Sequence, residues 1–185
     1  MPPLRRVYGL SPALATIAMA VALTAAPRVL VAASRVDSVR KPLSAFEAAA
    51  TERAKAGAAR RLRSPECQKL LTAYSDRAGR TLSENLAPWG MSAAEYVRQL
   101  PFYDGAGVAA CRRGSVRLAT FPGEPPVFVC TRRPGRLNSA FSTVEAENPS
   151  LAEVMVIHEM LHTLGLGENP PTTFEITEQV KARCR

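Results

Sequence analysis

The sequence predicts a small α+β domain with a helical majority, a β-hairpin or small sheet, and one helix that carries the candidate functional residues. Three observations support this fold class. Apolar residues recur at helical spacings of three and four after Ser64, Ser92 and Asn148. Residues 115–131 instead favour strands on either side of a proline-rich turn, which predicts a hairpin. The length of 185 residues leaves room for one compact domain plus an extension.

Residues 1–33 are typical of a secretory signal peptide. Arg5 and Arg6 give the segment a basic start, an apolar run follows, and the small residues up to Ala33 suit cleavage at that point. A retained membrane anchor is the alternative. However, the apolar run contains Pro12 and holds about 17 residues, fewer than the roughly 20 that a bilayer requires. We therefore expect a secreted or periplasmic protein without stable membrane insertion after cleavage.

Residues 34–63 are rich in alanine and arginine. Ser44 and Glu47 match the Ser-x-x-Glu capping box, which predicts a helix in this segment. Few large apolar side chains follow Phe46 before Leu62, so the predicted core face is thin. The segment is predicted to be a linker, a pro-segment, or a helix that lies loosely on the domain.

The chain is basic, with a formal net charge of +8 at pH 7. Loss of residues 1–33 removes three arginines and no acidic residue, so a moderate positive charge remains. The other arginines occur in short clusters, but no nucleic-acid-binding motif or series of aromatic residues accompanies them. We predict an exposed basic surface and no nucleic-acid partner.

All four cysteines lie beyond the predicted signal peptide. An even number of cysteines in an exported chain predicts two disulfides. Three pairings are possible, and we favour Cys111 with Cys130 and Cys67 with Cys184. The first pair would fasten the hairpin, and the second would join the last helix to the first helix of the domain.

Residues 64–185 are predicted to form the functional domain. Its first helices begin after Ser64 and Ser92, which are both typical helix caps. Residues 132–148 are polar and irregular, so a loop is predicted there. Helical spacing returns after Asn148.

Both histidines of the chain lie in the stretch VIHEMLHTLGLGENPP, residues 156–171. Side chains four residues apart project from one face of a helix, so His158 and His162 can direct ring nitrogens at one point. Two neutral imidazoles arranged in this way are typical ligands of Zn²⁺. Glu159 can reach a water at the metal without binding the ion, which suits it as a general base. The alternative is a core helix with two hydrogen-bonded histidines.

The His-Glu-x-x-His motif resembles that of the zincin superfamily of metallopeptidases, and the resemblance covers mainly residues 148–180. Gly165 and Glu168 are similar to the metzincin pattern, in which a glycine ends the helix and a third ligand follows. Glu168 stands where that family usually has histidine. No methionine follows Met160, so the chain lacks the methionine turn of a complete metzincin. The resemblance implies a small zincin-like fold for residues 64–185, with Zn²⁺ as the cofactor.

The resemblance leaves two candidates for the third ligand. Glu168 follows from the metzincin pattern. Glu175 competes with it, because thermolysin-like relatives take a glutamate from the following helix. Glu175 also matches a capping box that would open the last helix, and Glu168 could be a solvated loop acid. We prefer Glu168 and keep Glu175 as the alternative.

The motif and the resemblance together predict an exported zinc-dependent metallopeptidase that acts on a peptide or protein substrate. His158, His162 and Glu168 would hold Zn²⁺, and Glu159 would act as the general base. Zincins typically bind their substrate along an edge strand, and the hairpin is the candidate here. The alternative function is a disulfide-stabilised exported binding domain with structural zinc or an inactive zincin fold. Structural zinc is closed by four protein ligands, whereas catalytic zinc keeps one position open.

Overall fold

A computed structural model of the protein describes residues 40–113, 116–130 and 140–185, and the predicted signal peptide lies outside them. The described residues contain eight α-helices and three short strands, which confirms the predicted α+β class. In chain order these elements are α1 (Ala45–Arg61), α2 (Pro65–Ala73), α3 (Leu82–Leu86), α4 (Ala93–Gln99), β1 (Phe102–Asp104), α5 (Ala109–Arg113), β2 (Leu118–Ala119), β3 (Val127–Val129), α6 (Phe141–Glu147), α7 (Pro149–Thr163) and α8 (Thr173–Arg183).

Helix α7 lies at the centre of the domain. It begins with Pro149 in its first turn, and the side chain of Asn148 accepts a hydrogen bond from the amide of Leu151 at 3.0 Å. It packs against α1, α4, α6, α8 and two strands of the sheet. Ile157 and Leu161 are completely buried, which is the environment expected of a helix that is apolar on most of its surface.

Helix α1 packs into the core with a face of small residues. Ala50, Ala54 and Ala58 are buried, and Gly57 lies so close to α7 that a Cβ atom there would overlap the side chain of Glu153. The small residues let the backbones of α1 and α7 approach closely. Helix α1 therefore contributes to the core without large apolar side chains. Residues 45–61 are therefore part of the domain core, while a role for residues 34–63 as a pro-segment stays a prediction.

The capping box predicted at the start of α1 is half formed. The Ser44 hydroxyl accepts a hydrogen bond from the amide of Glu47, as predicted. The Glu47 carboxylate does not return to the Ser44 amide. It is buried and accepts hydrogen bonds from the amide and hydroxyl of Ser142, at 3.1 and 2.9 Å.

The loop predicted for residues 132–148 is wrong over its second half, where α6 forms, and residues 131–139 lie outside the described part of the chain. Distant contacts hold this helix. Phe141 is completely buried, and Glu145 accepts two hydrogen bonds from the Arg53 guanidinium of α1. Because Arg53 is 92 residues away from Glu145, the local sequence does not indicate this helix.

The three strands form one mixed sheet in the order β1-β3-β2. The predicted hairpin is confirmed: β2 pairs antiparallel with β3, with Leu118 opposite Val129 and Ala119 opposite Phe128. Strand β1 pairs with β3 in parallel and was not predicted. Strand β2 is at an edge of the sheet and packs against α7, which brings the hairpin close to the histidine pair.

Both favoured disulfides are present. Cys67 of α2 is joined to Cys184 just after α8, and Cys111 of α5 is joined to Cys130 just after β3. Two disulfides indicate an oxidising environment outside the cytosol. None of the helices between residues 40 and 185 that the structure describes combines the length and apolarity needed to cross a membrane.

Candidate metal centre

The two histidine rings meet on the buried face of α7. The Nε2 atoms of His158 and His162 are 3.1 Å apart, and both side chains are almost fully buried. Their four-residue spacing on one helix produces this convergence. The Nδ1 atom of each ring is hydrogen-bonded to another group, so the Nε2 atoms are the ones that face the shared point.

The hydrogen bonds at Nδ1 set the ring tautomers. His162 Nδ1 lies 2.7 Å from the carbonyl oxygen of Leu166, which can only accept, so Nδ1 carries the proton and Nε2 keeps its lone pair. His158 Nδ1 lies 3.0 Å from the hydroxyl of Thr177 on α8, which can accept in the same way. Partners of this kind orient histidine ligands and make them more basic.

Glu168 completes the group. Its Oε1 atom lies 3.3 Å from His162 Nε2, and the potential ligand atoms of His158, His162 and Glu168 all lie within 4.8 Å of one another. The carboxylate accepts a hydrogen bond from the Thr173 hydroxyl at 2.5 Å, and its side chain keeps 42% of its surface exposed. The group is therefore closed by protein on the histidine side and open to solvent on the Glu168 side.

Glu175 lies at the start of α8 and takes no part in this group. Its carboxylate accepts hydrogen bonds from the amide and hydroxyl of Thr172, at 2.8 and 2.9 Å, in the capping box that the sequence indicated. These bonds also lower the pKa of Glu175. Of the two candidates for a third ligand, the structure brings only Glu168 to the histidines.

The spacing of the three donor atoms fits a metal ion. Two ligand atoms at about 2.1 Å from a tetrahedral zinc ion are about 3.4 Å apart. Two of the observed separations are close to this value, 3.1 Å between the histidine nitrogens and 3.3 Å between His162 and Glu168, and the atoms of His158 and Glu168 lie within 4.8 Å of each other. His158, His162 and Glu168 can therefore hold a metal ion.

The protonation of His158 suits this role. Burial, reinforced by the neighbouring His162, lowers the pKa of His158 to about 4, against the opposing effect of Glu168. The imidazole is therefore neutral at physiological pH. A neutral imidazole is the form that binds a metal.

Glu159 lies next to the metal group without joining it. Its Oε2 atom accepts a hydrogen bond from the hydroxyl of Thr120, at 2.7 Å, where the hairpin leaves β2. Burial raises the pKa of Glu159, and the Thr120 hydrogen bond partly opposes this shift. A carboxylate with a raised pKa that is held in one orientation is suited to accept a proton.

Sequence reasoning missed the three threonines that contact these acidic and histidine side chains, Thr120, Thr173 and Thr177. Thr173 and Thr177 are four residues apart and lie on one face of α8, a spacing that is visible in the sequence. Thr120 gives no such sign, because its contact depends on how the hairpin packs against α7. The backbone carbonyl of Leu166 could not be recognised from sequence either.

No protein-family model, no curated protein and no solved structure matches this chain.

Proposed function

We propose that this protein is an exported zinc-dependent metallopeptidase of the zincin type. One observation carries the proposal: the potential ligand atoms of His158, His162 and Glu168 lie within 4.8 Å of one another, and the buried Glu159 carboxylate is close enough to interact electrostatically with His162 and Glu168. A site that only had to hold a metal would need no additional, oriented carboxylate next to it. The combination is that of metal-assisted hydrolysis.

Zn²⁺ bound at this site would polarise the carbonyl of a peptide bond and lower the pKa of water to about 7. Glu159 accepts the proton from the attacking water and delivers it to the departing amine. Thr120 keeps the receiving carboxylate in place. His158 and His162 are held by Thr177 and by the Leu166 carbonyl, so they do not need to reorganise during the reaction.

The hairpin supports the proposed peptide substrate. Thr120 contacts Glu159, and the amide of Gly123 donates a hydrogen bond to the carbonyl oxygen of His162 at 2.9 Å. The edge strand β2 is therefore fixed beside the metal group. An extended peptide that lies along this edge would present its backbone to the site, in the way that peptides add to sheet edges.

The number of ligands favours an enzyme over a binding domain with structural zinc. Within the described residues, three side chains form the metal group, and all four cysteines are used in disulfides. Structural zinc normally has four protein ligands. Three ligands leave a position for water and substrate.

The test is elemental analysis of the purified protein together with cleavage of a mixed peptide library. We expect about one zinc ion per chain in the wild type and in Glu159→Gln. We expect cleavage in the wild type and a loss of about 10²-fold or more in Glu159→Gln, which keeps the size of the side chain but cannot accept the proton.

Two matched variants identify the third ligand. Glu168→Ala should lose most of the bound zinc, while Glu175→Ala should retain it, because Glu175 only caps α8. Absence of zinc from the wild type, or equal cleavage by the wild type and Glu159→Gln, would overturn the proposal.

A further inference from the structure

A depression of about 600 Å³ lies at the C-terminal end of α7, immediately after the helix segment that carries His158 and His162. Its wall includes the last residues of the metal-binding helix and the chain that follows, Thr163, Leu164 and Gly165. The turn of the hairpin, with Pro122 and Gly123, forms another side. Ligand pockets typically have volumes of about 300–1,000 Å³, so the depression has room for a side chain or the end of a peptide.

We propose that this depression binds a carboxylate group of the peptide substrate, with Arg77 as its cationic partner and Trp89 as its apolar wall. The inference rests on the proposed peptidase function and adds a substrate preference to it. The carboxylate can belong to an acidic side chain or to the C-terminus of the peptide. Either source presents the same planar anion.

The charges around the depression single out Arg77. Asp76 and Arg80 form an ion pair at 2.9 Å, and the Glu84 carboxylate accepts hydrogen bonds from the amide and hydroxyl of Thr81 at the start of α3. The Arg77 guanidinium also lines the depression and has no hydrogen-bond or ion-pair partner among the residues that the structure describes. Five N–H donors are thus available, in a planar arrangement that matches a carboxylate.

Arg77 is also close to the metal-binding loop. Its Nε atom is 3.6 Å from the point where a Cβ atom on Gly167 would lie, and Gly167 immediately precedes the ligand Glu168. A carboxylate held by Arg77 would therefore belong to a peptide whose chain passes close to the metal group.

Side-chain hydrogen bonds of Asn85 connect two parts of the lining of the depression. The Asn85 amide donates to Asp76 at 2.9 Å and to the carbonyl oxygen of Leu164 at 2.9 Å. These bonds connect the Asp76 turn to the end of α7. The turn that carries Arg77 is therefore fixed relative to the metal-binding helix, and less conformational entropy is lost when a ligand binds.

Trp89 provides a large apolar surface at this site. Its side chain is 51% exposed although it packs edge-to-face on Tyr96, with ring centroids 5.6 Å apart. Packing on one side keeps the indole in place and leaves the other side open. This surface can cover the apolar part of a bound residue while Arg77 binds its carboxylate.

The test uses the fluorescence of Trp89, which is the only tryptophan in the chain. Binding is measured on Glu159→Gln, so that peptide cleavage during the measurement is slowed by about 10²-fold or more. The probes are N-acetylated alanine hexapeptides with one glutamate or one glutamine at each position in turn, each prepared as the free acid and as the amide. We expect a change in Trp89 emission and about tenfold tighter binding of the peptides that carry the recognised carboxylate.

Variants at two arginines, built in the Glu159→Gln background, provide the control. Arg77→Gln should remove the carboxylate preference, and Arg77→Lys should restore only part of it, because lysine lacks the planar pair of donors. Arg63→Gln removes an exposed arginine that does not line the depression, and it should keep the preference.

The arms of the test separate the two sources of the carboxylate. A glutamate preference that persists in amidated peptides identifies a side chain, and a preference for free acids alone identifies the C-terminus. Equal binding of all probes, or a preference that survives Arg77→Gln, overturns the inference. If the wild type cleaves peptides but shows no carboxylate preference, only the inference about the depression is refuted. If the preference is found but the protein binds no zinc, only the peptidase function is refuted.

Discussion

At the scale of single residues, threonine hydroxyl groups hold much of the candidate site. Thr120 donates to Glu159, Thr173 donates to Glu168, and Thr177 contacts His158. A hydroxyl group can donate or accept, so it suits both carboxylates and imidazoles. The side chains that would perform the chemistry are therefore oriented by neutral partners, which leave the charge of the site unchanged.

Thr120→Val should reduce peptide cleavage by about tenfold to a hundredfold, which is the range expected when one hydrogen bond to a charged group is lost. Zinc content should stay unchanged, because the Thr120 hydroxyl donates to Glu159, which is not one of the proposed ligands. Thr120→Ser keeps the hydroxyl and should restore most of the rate. If serine and valine reduced the rate equally, the loss would come from packing and not from the hydrogen bond.

At the scale of secondary-structure elements, the end of α7 shapes the site. Gly165 has φ +105°, and its amide donates to the carbonyl oxygen of His162 at 2.8 Å. The chain therefore reverses there, and the Leu166 carbonyl reaches His162 Nδ1. A Cβ atom on Gly165 would lie 3.0 Å from the Cβ of Asp76, so the turn also needs the space that glycine leaves.

Gly165→Ala should lower the free energy of unfolding by about 2–3 kcal/mol, because both the backbone conformation and the contact with Asp76 oppose a methyl group. Gly79→Ala is the matched control: its φ is +82°, but no atom lies within 4 Å of the added Cβ. We expect a loss of about 1 kcal/mol there. Urea denaturation measures the free energy of unfolding of both variants. Equal losses in the two variants would show that the contact with Asp76 has no energetic effect.

The sequence allowed the local features of these elements to be predicted and missed those that depend on distant contacts. The caps at Ser64 and Ser92 are formed by side chains within three residues, and both are observed. The convergence of His158 and His162 likewise follows from helix geometry alone. Thr177, the hydrogen-bond partner of His158, lies on a different helix, and the local sequence around His158 does not indicate this contact.

Strand β1 shows the same limit for the sheet. It pairs with β3 in parallel, Phe102 opposite Val127, with α5 and β2 between them in the chain. The adjacent hairpin of β2 and β3 was predicted because a turn joins its strands directly. A parallel partner is joined by no turn, so no local pattern indicates it.

At the scale of the whole molecule, the two disulfides close loops of very different length. Cys67 and Cys184 are separated by 117 residues and Cys111 and Cys130 by 19. The Cys67–Cys184 disulfide also holds α8, which carries Thr173 and Thr177, against α2. The first disulfide therefore connects overall stability to the metal group.

Replacement of both Cys67 and Cys184 by serine should destabilise the protein by about 1.6 kcal/mol more than replacement of Cys111 and Cys130, from the dependence of chain entropy on loop length. Guanidinium denaturation of the two double variants measures the difference. We also expect weaker zinc retention in the Cys67 and Cys184 variant alone. Equal destabilisation by the two double replacements would mean that the difference in loop length does not stabilise the protein through the entropy of the unfolded chain.

The position of α1 limits how much of the N-terminal segment the folded domain can lose. Arg61 at its end donates hydrogen bonds to Glu153 of α7 and to the carbonyl oxygen of Cys184, both at 2.5 Å. The helix thereby holds together the beginning of α7 and the residue that follows α8, while its alanines fill the core. Proteolytic excision of residues 45–61 would open that core and unfold the site instead of uncovering it. A pro-segment that can be removed without opening this core would have to end before Ser44.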